Sequence, residues 1–415
     1  MQKSPASPDD PQSIENVRWV TSPAAQPWLD RASSSSQPLT AQVAQLRAEL
    51  TPAQTHQILA QVELREKARA KFSNAEKMFF TPRALEQASD EIVAAYKAAR
   101  FSQAPRRFDL CCGIGGDLIA LALGGEAVGV DRDPIMALLA ETNARRLLET
   151  SPSAAAQNHA PKVLQLDVES LDLDACDAWH IDPDRRSSGR RTTCVDLHSP
   201  PAEAIERMLA QNSHAAIKLA PAAQMPPAWS ERAELEWISR ARECRQLVAW
   251  FGSLAHEPSR RRATVLGKTA GESRSLVGAP QPDPPPAERL ERYLFEPDAA
   301  VLAAKLGGTL ANEHQLAAIT PGIAYWTGPR PIVDAALGCF EILEVLPLRL
   351  KPLKALLRAR GIGRLEIKKR GVDQDPAKLR SQLDLAGENA ATLLLTRIEK
   401  RTTAILARRL VPDER

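Results

Sequence analysis

The stretch Phe108-Asp-Leu-Cys-Cys-Gly-Ile-Gly-Gly-Asp117 limits what this chain can become more than any other. An apolar run ends in a cluster of small residues, and a helical apolar pattern (Leu118, Ile119, Leu121, Ala122, Leu123) starts at once. That order is strand, tight turn, helix. Gly113, Gly115 and Gly116 can take positive φ and carry no Cβ, so a ligand can press against backbone where a helix N-terminus offers free N–H groups.

The next strand pattern, Ala127-Val-Gly-Val-Asp131, ends in an acid eighteen residues after Gly113. In a βαβ nucleotide fold a carboxylate there accepts both ribose hydroxyls. Two ligands share that geometry, a dinucleotide and S-adenosylmethionine. The dinucleotide fingerprint wants a third glycine where this chain has Leu118, and a helix end free for a pyrophosphate. Asp109 before the loop and Asp117 at the helix start would repel a pyrophosphate and suit the ammonium of a methionine moiety. The pattern favours S-adenosylmethionine.

Strand and helix patterns then alternate: strands at 107–112, 127–131, 162–167, 178–182 and 215–219, helices at 134–148 and 201–209. Alternation of this kind predicts a mostly parallel, doubly wound α/β sheet with ligands at the C-terminal strand ends. The segments 245–251 and 262–267 are expected to close it as an antiparallel pair. Asp167 ends the third strand, where it either accepts the adenine amine or caps the next turn. Asp182 and Pro183 end the fourth, beside the place where the transferable group belongs. Asp184 and four arginines follow, Arg185, Arg186, Arg190 and Arg191, in a loop with one glycine. Guanidinium forks bind phosphate or carboxylate bidentately and stack on bases; the competing reading is an internal network in which Asp182 and Asp184 neutralise Arg185 and Arg186.

Upstream, residues 1–38 are rich in Pro, Ser, Ala and Gln and read as a loose tail, followed by helices over 40–71 with Thr51-Pro52 as an N-cap and first-turn proline. Phe79 and Phe80 read as core, or as a cover over the ligand from the N-terminal side. Thr81-Pro82 starts a helix expected to run to Ala99. Downstream, Ala279-Pro-Gln-Pro-Asp-Pro-Pro-Pro286 reads as a stiff linker or edge-hugging connection. Helices are expected over 289–306, except at Glu296-Pro297, and over 311–319. After these come a strand at 339–345, a basic helix at 351–360, a strand at 364–370, a helix at 376–383 and a hairpin from 390–397 and 402–408.

No run of about eighteen apolar residues indicates a membrane span, and the N-terminus lacks the apolar core of a signal peptide, so a cytoplasmic protein is expected. The six cysteines show no paired C-x-x-C spacing, which points to neither zinc nor a disulfide framework. The net charge of +3 conceals an asymmetry: residues 349–415 hold seventeen Lys/Arg against eight Asp/Glu. A basic end on a near-neutral chain suits a polyanionic partner, or is simply a solvated helix surface.

Asp109 to Asp117, Val130-Asp131-Arg-Asp-Pro134, Asp167 and Ile181-Asp182-Pro183 occur in the order and spacing that resemble class I S-adenosylmethionine-dependent methyltransferases. With Phe80-Thr81-Pro82 upstream, the core looks most like the trimethylguanosine synthase branch. Leu365-Glu-Ile-Lys-Lys-Arg-Gly371, Asp375-Pro376 and Ala391-Thr-Leu-Leu-Leu-Thr-Arg397 resemble the THUMP-like domain of bacterial methyltransferases. The likeness implies a Rossmann-like catalytic domain at 101–270 behind an N-terminal helical region at 39–100. A proline-rich linker at 271–288 and a C-terminal α+β region at 289–415, THUMP-like over about 338–411, would follow. It implies that Asp109 and the Gly113, Gly115, Gly116 loop hold the methionine part, Asp131 the ribose and Asp167 the adenine. Asp182-Pro183 falls where amine-modifying members orient the target, but Asp184 stands for their second proline and Arg185 for their aromatic. Asp182 would orient the acceptor or take its proton, in a reaction that positioning two atoms about 3 Å apart largely accelerates. The expected activity is methylation of RNA, a tRNA or rRNA base, with the basic C-terminal domain gripping the substrate. A protein or small anionic acceptor, and a non-catalytic RNA-binding protein, are the alternatives.

Overall fold

A computed structural model describes residues 13–149, 161–187, 190–399 and 401–410, and the side chains of 186, 187, 190 and 191 are outside that description. The chain forms two compact units, the first from residues 1–233 and 248–258, the second from 234–247 and 259–415.

The first unit begins with helices. α1 (Ile14–Thr21) starts where the Ser13 side chain accepts from Asn16 N, and α2 (Gln26–Ser33) has a proline in its first turn. The loose tail expected over 1–38 is therefore wrong for residues 14–33. Val17, Val20 and Leu29 pay for the ordering by burial in the same apolar cluster as Ile58, Phe79, Phe80, Ile114 and Leu139. α3 (Leu39–Arg47) follows, then α4 (Pro52–Ala68), which opens on the expected Thr51 cap, completed by Gln54 into a capping box. The helix expected from Pro82 to Ala99 is two, α5 (Pro82–Gln87) and α6 (Glu91–Ala99), because Asp90 caps a fresh N-terminus by accepting from Ile92 N and Val93 N.

The sheet of this unit is built on β1 (Arg106–Leu110), β2 (Glu126–Val130), β3 (Lys162–Leu164) and β4 (Ala178–Ile181). A small hairpin, β5 (Arg186–Ser187) with β6 (Arg190–Arg191), precedes β7 (Ala215–Leu219). The order is β7-β4-β1-β2-β3, all parallel. The chain runs β1, β2, β3 towards one edge, then returns to lay β4 against β1 on the other side. Its switch point lies at the C-terminal ends of β1 and β4, where such sheets hold ligands. α7 (Gly116–Ala122) follows β1 and α8 (Pro134–Leu148) follows β2.

The second unit contains β8 (Glu234–Arg240) and β9 (Glu243–Trp250), whose last residues cross into the first unit. They join through Ala241 and Arg242 at φ 52° and 66°. β10 (Arg261–Leu266) pairs parallel with β8 and antiparallel with β11 (Ser273–Gly278), so the expected closing pair of 245–251 with 262–267 is wrong. The intervening β8 reads as Glu-Leu-Glu-Trp-Ile-Ser-Arg, and its glutamates disguise a buried strand: Glu234 meets Arg262, and Thr264 Oγ1 donates to Glu236 at 2.5 Å.

The second sheet of this unit uses β12 (Tyr293–Pro297), β13 (Ala317–Thr320), β14 (Ile323–Gly328), β15 (Leu337–Pro347), β16 (Ile362–Lys369), β17 (Asn389–Ile398) and β18 (Arg401–Leu410). Its order is β13-β14-β12-β15-β18-β17-β16. β12 replaces part of the helix expected at 289–306, leaving Ala299–Ala303 helical there, while Gly307–Glu313 overlaps the start of the helix expected at 311–319 and β13 replaces its end. The expected C-terminal hairpin is β17 with β18, antiparallel. The helices Leu350–Ala359 and Pro376–Gln382 bury Leu353, Leu357 and Leu379 against Leu365, Leu393, Leu395 and Leu406 of the sheet. The proline-rich segment follows the sheet edge, Ala318 N donating to Pro285 O and Ala287 N to Ala318 O.

Candidate active site

β1 delivers the chain into a turn in which Cys111, Gly113 and Gly115 have φ of 54°, 55° and 85°. The glycines differ in what they permit. A Cβ on Gly115 would stand 3.2 Å from Ala140 Cα of α8, and one on Gly116 would stand 3.3 Å from Ser89 O, whereas beside Gly113 there is open space. Asp131 fastens the turn, accepting from Gly113 N through Oδ2 at 2.9 Å and from Asp133 N through Oδ1 at 3.0 Å. Behind it, the fully buried Asn143 side chain donates to Ile114 O and Phe79 O and accepts from Phe79 N. Phe79 and Phe80 are thus core residues, and the residues just after them reach the site.

A cleft of about 330 Å³ opens at the switch point, lined by Asp109, Gly113, Gly116, Asp131, Asp167, Asp182, Pro183 and Arg185 together with Thr81, Arg83 and Gln87 of the α5 segment. Of the sequence-predicted residues, Gly115 turns towards α8 instead of the cleft. Arg186, Arg190 and Arg191 lie in the β5–β6 hairpin, and their side chains fall outside the described part of the structure. Asp167 caps a short turn by accepting from Glu169 N at 3.1 Å while also facing the cleft.

The floor of the cleft is ionic, and sequence reasoning missed most of it. His180 Nδ1 lies 2.7 Å from Asp109 Oδ1, and its Nε2 lies 3.1 Å from Lys97 Nζ. This geometry is satisfied when His180 carries its proton on Nδ1 and accepts from the lysine. Lys97 is 2.7 Å from Asp117 Oδ1, and Ser89 Oγ donates to Asp117 Oδ2 at 2.8 Å. Burial pushes the Asp109 carboxyl up and the Lys97 ammonium down. Burial also works against ionised Asp117, but the ammonium groups of Lys97 and Lys218 outweigh it and hold Asp117 well below the ordinary range. Asp117 is thereby committed to the protein. Asp109 Oδ2, buried and without a hydrogen-bond partner, is the acceptor left over beside the loop.

Across the switch point, Lys218 of β7 lies 2.5 Å from Asp182 Oδ2 and donates to Gln87 O at 3.2 Å. Arg83 of α5 lies 2.6 Å from Asp184 Oδ2. Asp182 pairs with Lys218 and Asp184 with Arg83, so the part of the internal network that would join these acids to Arg185 is not seen, while the side chain of Arg186 lies outside the described residues. Among the described residues no carboxylate stands within ion-pair distance of Arg185. The signal for the missed residues was faint: a lysine in the apolar run Ala215-Ala-Ile-Lys-Leu219, another in the apolar helix Glu91 to Ala99, and a histidine in a four-residue strand.

A parallel sheet with this strand order, a glycine turn after β1 and carboxylates at successive strand ends define a Rossmann-like class I methyltransferase fold. Residues 337–409 match the family described as THUMP domain-like. The chain is 32% identical over 324 residues to an uncharacterised S-adenosylmethionine-dependent methyltransferase of Mycobacterium tuberculosis, found in strains CDC 1551 and H37Rv, covering 77% of this chain and 84% of the relative. A crystal structure from Porphyromonas gingivalis W83, of a protein assigned to the methyltransferases, has the same fold with a TM-score of 0.73 at 18% identity, covering 96% of this chain and 99% of that one. The chain belongs to the S-adenosylmethionine-dependent methyltransferases. Its cofactor is S-adenosyl-L-methionine, and the site suits it: Asp109 Oδ2 is an orphaned acceptor for an ammonium, and the backbone at Gly113 has open space before it. Among the described residues no helix is long and apolar enough to cross a membrane.

Proposed function

We propose that this methyltransferase acts on RNA, transferring its methyl group to a base of a tRNA or rRNA, in a cytoplasmic setting. In this reading Asp109 and the loop at Gly113 and Gly116 take the methionine part of the cofactor, Asp131 the ribose and Asp167 the adenine, while Gly115 lets the turn pack against α8. Bound there, S-adenosylmethionine supplies an electrophilic sulfonium methyl. Asp182 and Pro183 present the acceptor atom to it. Arg185, which has no carboxylate within ion-pair distance among the described residues, takes an anionic group of the acceptor, and Arg186, Arg190 and Arg191 of the same loop are assigned to the same task.

The observation that carries RNA over other anions is the surface of the region matching the THUMP-like family. Arg349, Lys351, Arg358, Lys369, Lys378, Arg397 and Arg401 are all exposed there, and none has an ion-pair partner among the described residues. Seven uncommitted cations on one small domain suit a phosphate backbone, which attracts such groups by counterion release without needing a pocket. The catalytic region near 101–270 then does the chemistry and the C-terminal region does the holding.

The test is transfer of labelled methyl to total RNA from cells lacking the gene, with RNA from normal cells alongside. Label confined to the deletion-strain RNA is the expected result, because the site is already filled in normal cells. Label that enters protein or small molecules, and no RNA from either source, would overturn the RNA reading.

A further inference from the structure

We propose that Lys218 is the positioning residue of the acceptor subsite, fixing Asp182 through a buried ion pair and tying it to the helix Pro82–Gln87. The inference rests on the reading of Asp182 as the residue that presents the acceptor, and concerns what holds Asp182 in place. Parallel pairing of β4 with β7 sets His180 against Ala216 and Ile181 against Ile217, so continuing that register places Asp182 opposite Lys218 at the strand ends. The Lys218 side chain is only 10% exposed, yet its ammonium meets one oxygen of Asp182 at 2.5 Å and the carbonyl of Gln87 at 3.2 Å. Burial works against its charge, but the carboxylates of Asp182 and Asp117 reverse this and raise its proton affinity above the ordinary lysine value.

The consequence is geometric. A carboxylate at a strand end that is 28% exposed would otherwise sample several rotamers. Here Oδ2 is claimed by Lys218, which leaves Oδ1 to face the cleft that Asp182 lines together with Pro183 and Arg185. Lys218 binds at the same time to the last residue of α5, whose Arg83 grips Asp184. One ammonium therefore sets the distance between the loop after β4 and the helix wall facing it. A group held in this way needs no reorganisation when the acceptor arrives.

The experiment compares wild type, Lys218→Met, Lys218→Arg, Asp182→Asn and the double variant Lys218→Met/Asp182→Asn in the full chain. Affinity for S-adenosylmethionine is measured by calorimetry. Methyl transfer is measured under single turnover, with whole extract from cells lacking the gene as acceptor, with and without prior nuclease treatment. Removing a hydrogen bond to a charged group is worth about tenfold or more. Lys218→Met should lower the transfer rate by about that factor while the cofactor Kd stays within about twofold, and Lys218→Arg should recover part of the loss. The double variant should be no slower than Asp182→Asn alone, since a residue acting through Asp182 has nothing left to act on. A Lys218→Met enzyme that transfers at the wild-type rate would overturn the proposal, and so would losses that multiply in the double variant. Nuclease decides the RNA reading separately: label that survives digestion sinks RNA as substrate and leaves the comparison of variants intact.

Discussion

The cleft of the first unit and the THUMP-like region of the second are both rich in charge, and they spend it in opposite ways. At the cleft, Lys97, Lys218, Asp109 and Asp117 are buried, and the two lysines lie 2.7 Å or less from a carboxylate. In the C-terminal region, Lys351, Arg358 and Lys378 stand on helix surfaces facing water. A buried charge costs several kcal/mol to dehydrate and tolerates no loss of its partner, while an exposed one is worth little to the fold and is free for another molecule. The first kind fixes the position of a few atoms. The second attracts a polyanion and leaves its register open.

The sharpest way to break this contrast is to remove one member of the buried set. Lys97→Met takes from Asp117 its 2.7 Å ion pair, leaving it the Ser89 hydroxyl at 2.8 Å and His180 Nε2 at 3.9 Å, and should cost about 3–5 kcal/mol by urea unfolding. Restoring balance with Asp117→Asn in the same chain should recover much of it. The pH dependence has a definite sign. Asp117 is held below its ordinary value of 3.8 when folded, so its contribution is fully present above that pH and is lost as pH falls through the folded value. The deficit of Asp117→Asn should accordingly be full at neutral pH and shrink in acid. A deficit independent of pH would mean that packing and not charge is at stake.

A smaller effect is expected where the cleft wall meets the acceptor. Arg185→Ala should raise KM for RNA by about tenfold through loss of a charge-assisted contact, with the cofactor Kd unchanged. Arg83→Ala leaves Arg185 in place but removes the 2.6 Å ion pair from Asp184, so that this carboxylate, still in contact with Gln87 Nε2 at 3.5 Å, can partly answer Arg185 one residue away. It should therefore move KM in the same direction by less. Steady-state kinetics on deletion-strain RNA separates the cases, and an Arg83→Ala enzyme with wild-type KM would show that Arg185 does not depend on where Asp184 is held.

The same division explains what the sequence disclosed. Asp109, Asp131, Asp167 and Asp182 converge on one cleft because strand–helix alternation puts strand ends together, and that follows from periodicity alone. The capped start of α4 and the β17–β18 hairpin were equally plain, being local. Charged residues inside elements were opaque. β8 hid behind Glu234 and Glu236, which are fully buried against partners on β10, and no count of apolar positions anticipates a strand whose polarity is cancelled by its neighbour. Lys97 and Lys218 are the same case, as is Arg83, whose partner Asp184 lies 101 residues away. α1 and α2 were concealed for another reason: their Ser- and Pro-rich surroundings read as tail, whereas those residues serve as caps and first-turn prolines.

The smallest change is predicted for the exposed cations, and there the internal control is Lys354. On the helix Leu350–Ala359, Lys351, Lys354 and Arg358 follow one another at spacings of three and four residues and so share a face. Lys354 is 2.9 Å from Asp384, while its two neighbours have no ion-pair partner among the described residues. Lys351→Ala with Arg358→Ala should leave stability within about 0.5 kcal/mol of wild type. It should lower affinity for a labelled RNA pool only a few-fold and flatten the dependence of log affinity on log salt by roughly 0.7 to 0.9 per cation removed. Lys354→Ala should change that slope less than either neighbour does, because its charge is already partly answered by Asp384. Equal slopes for all three would mean that the ion pair opens when RNA binds, and an unchanged slope for the double variant would take this helix face out of the RNA contact and with it the contrast between committed and uncommitted charge.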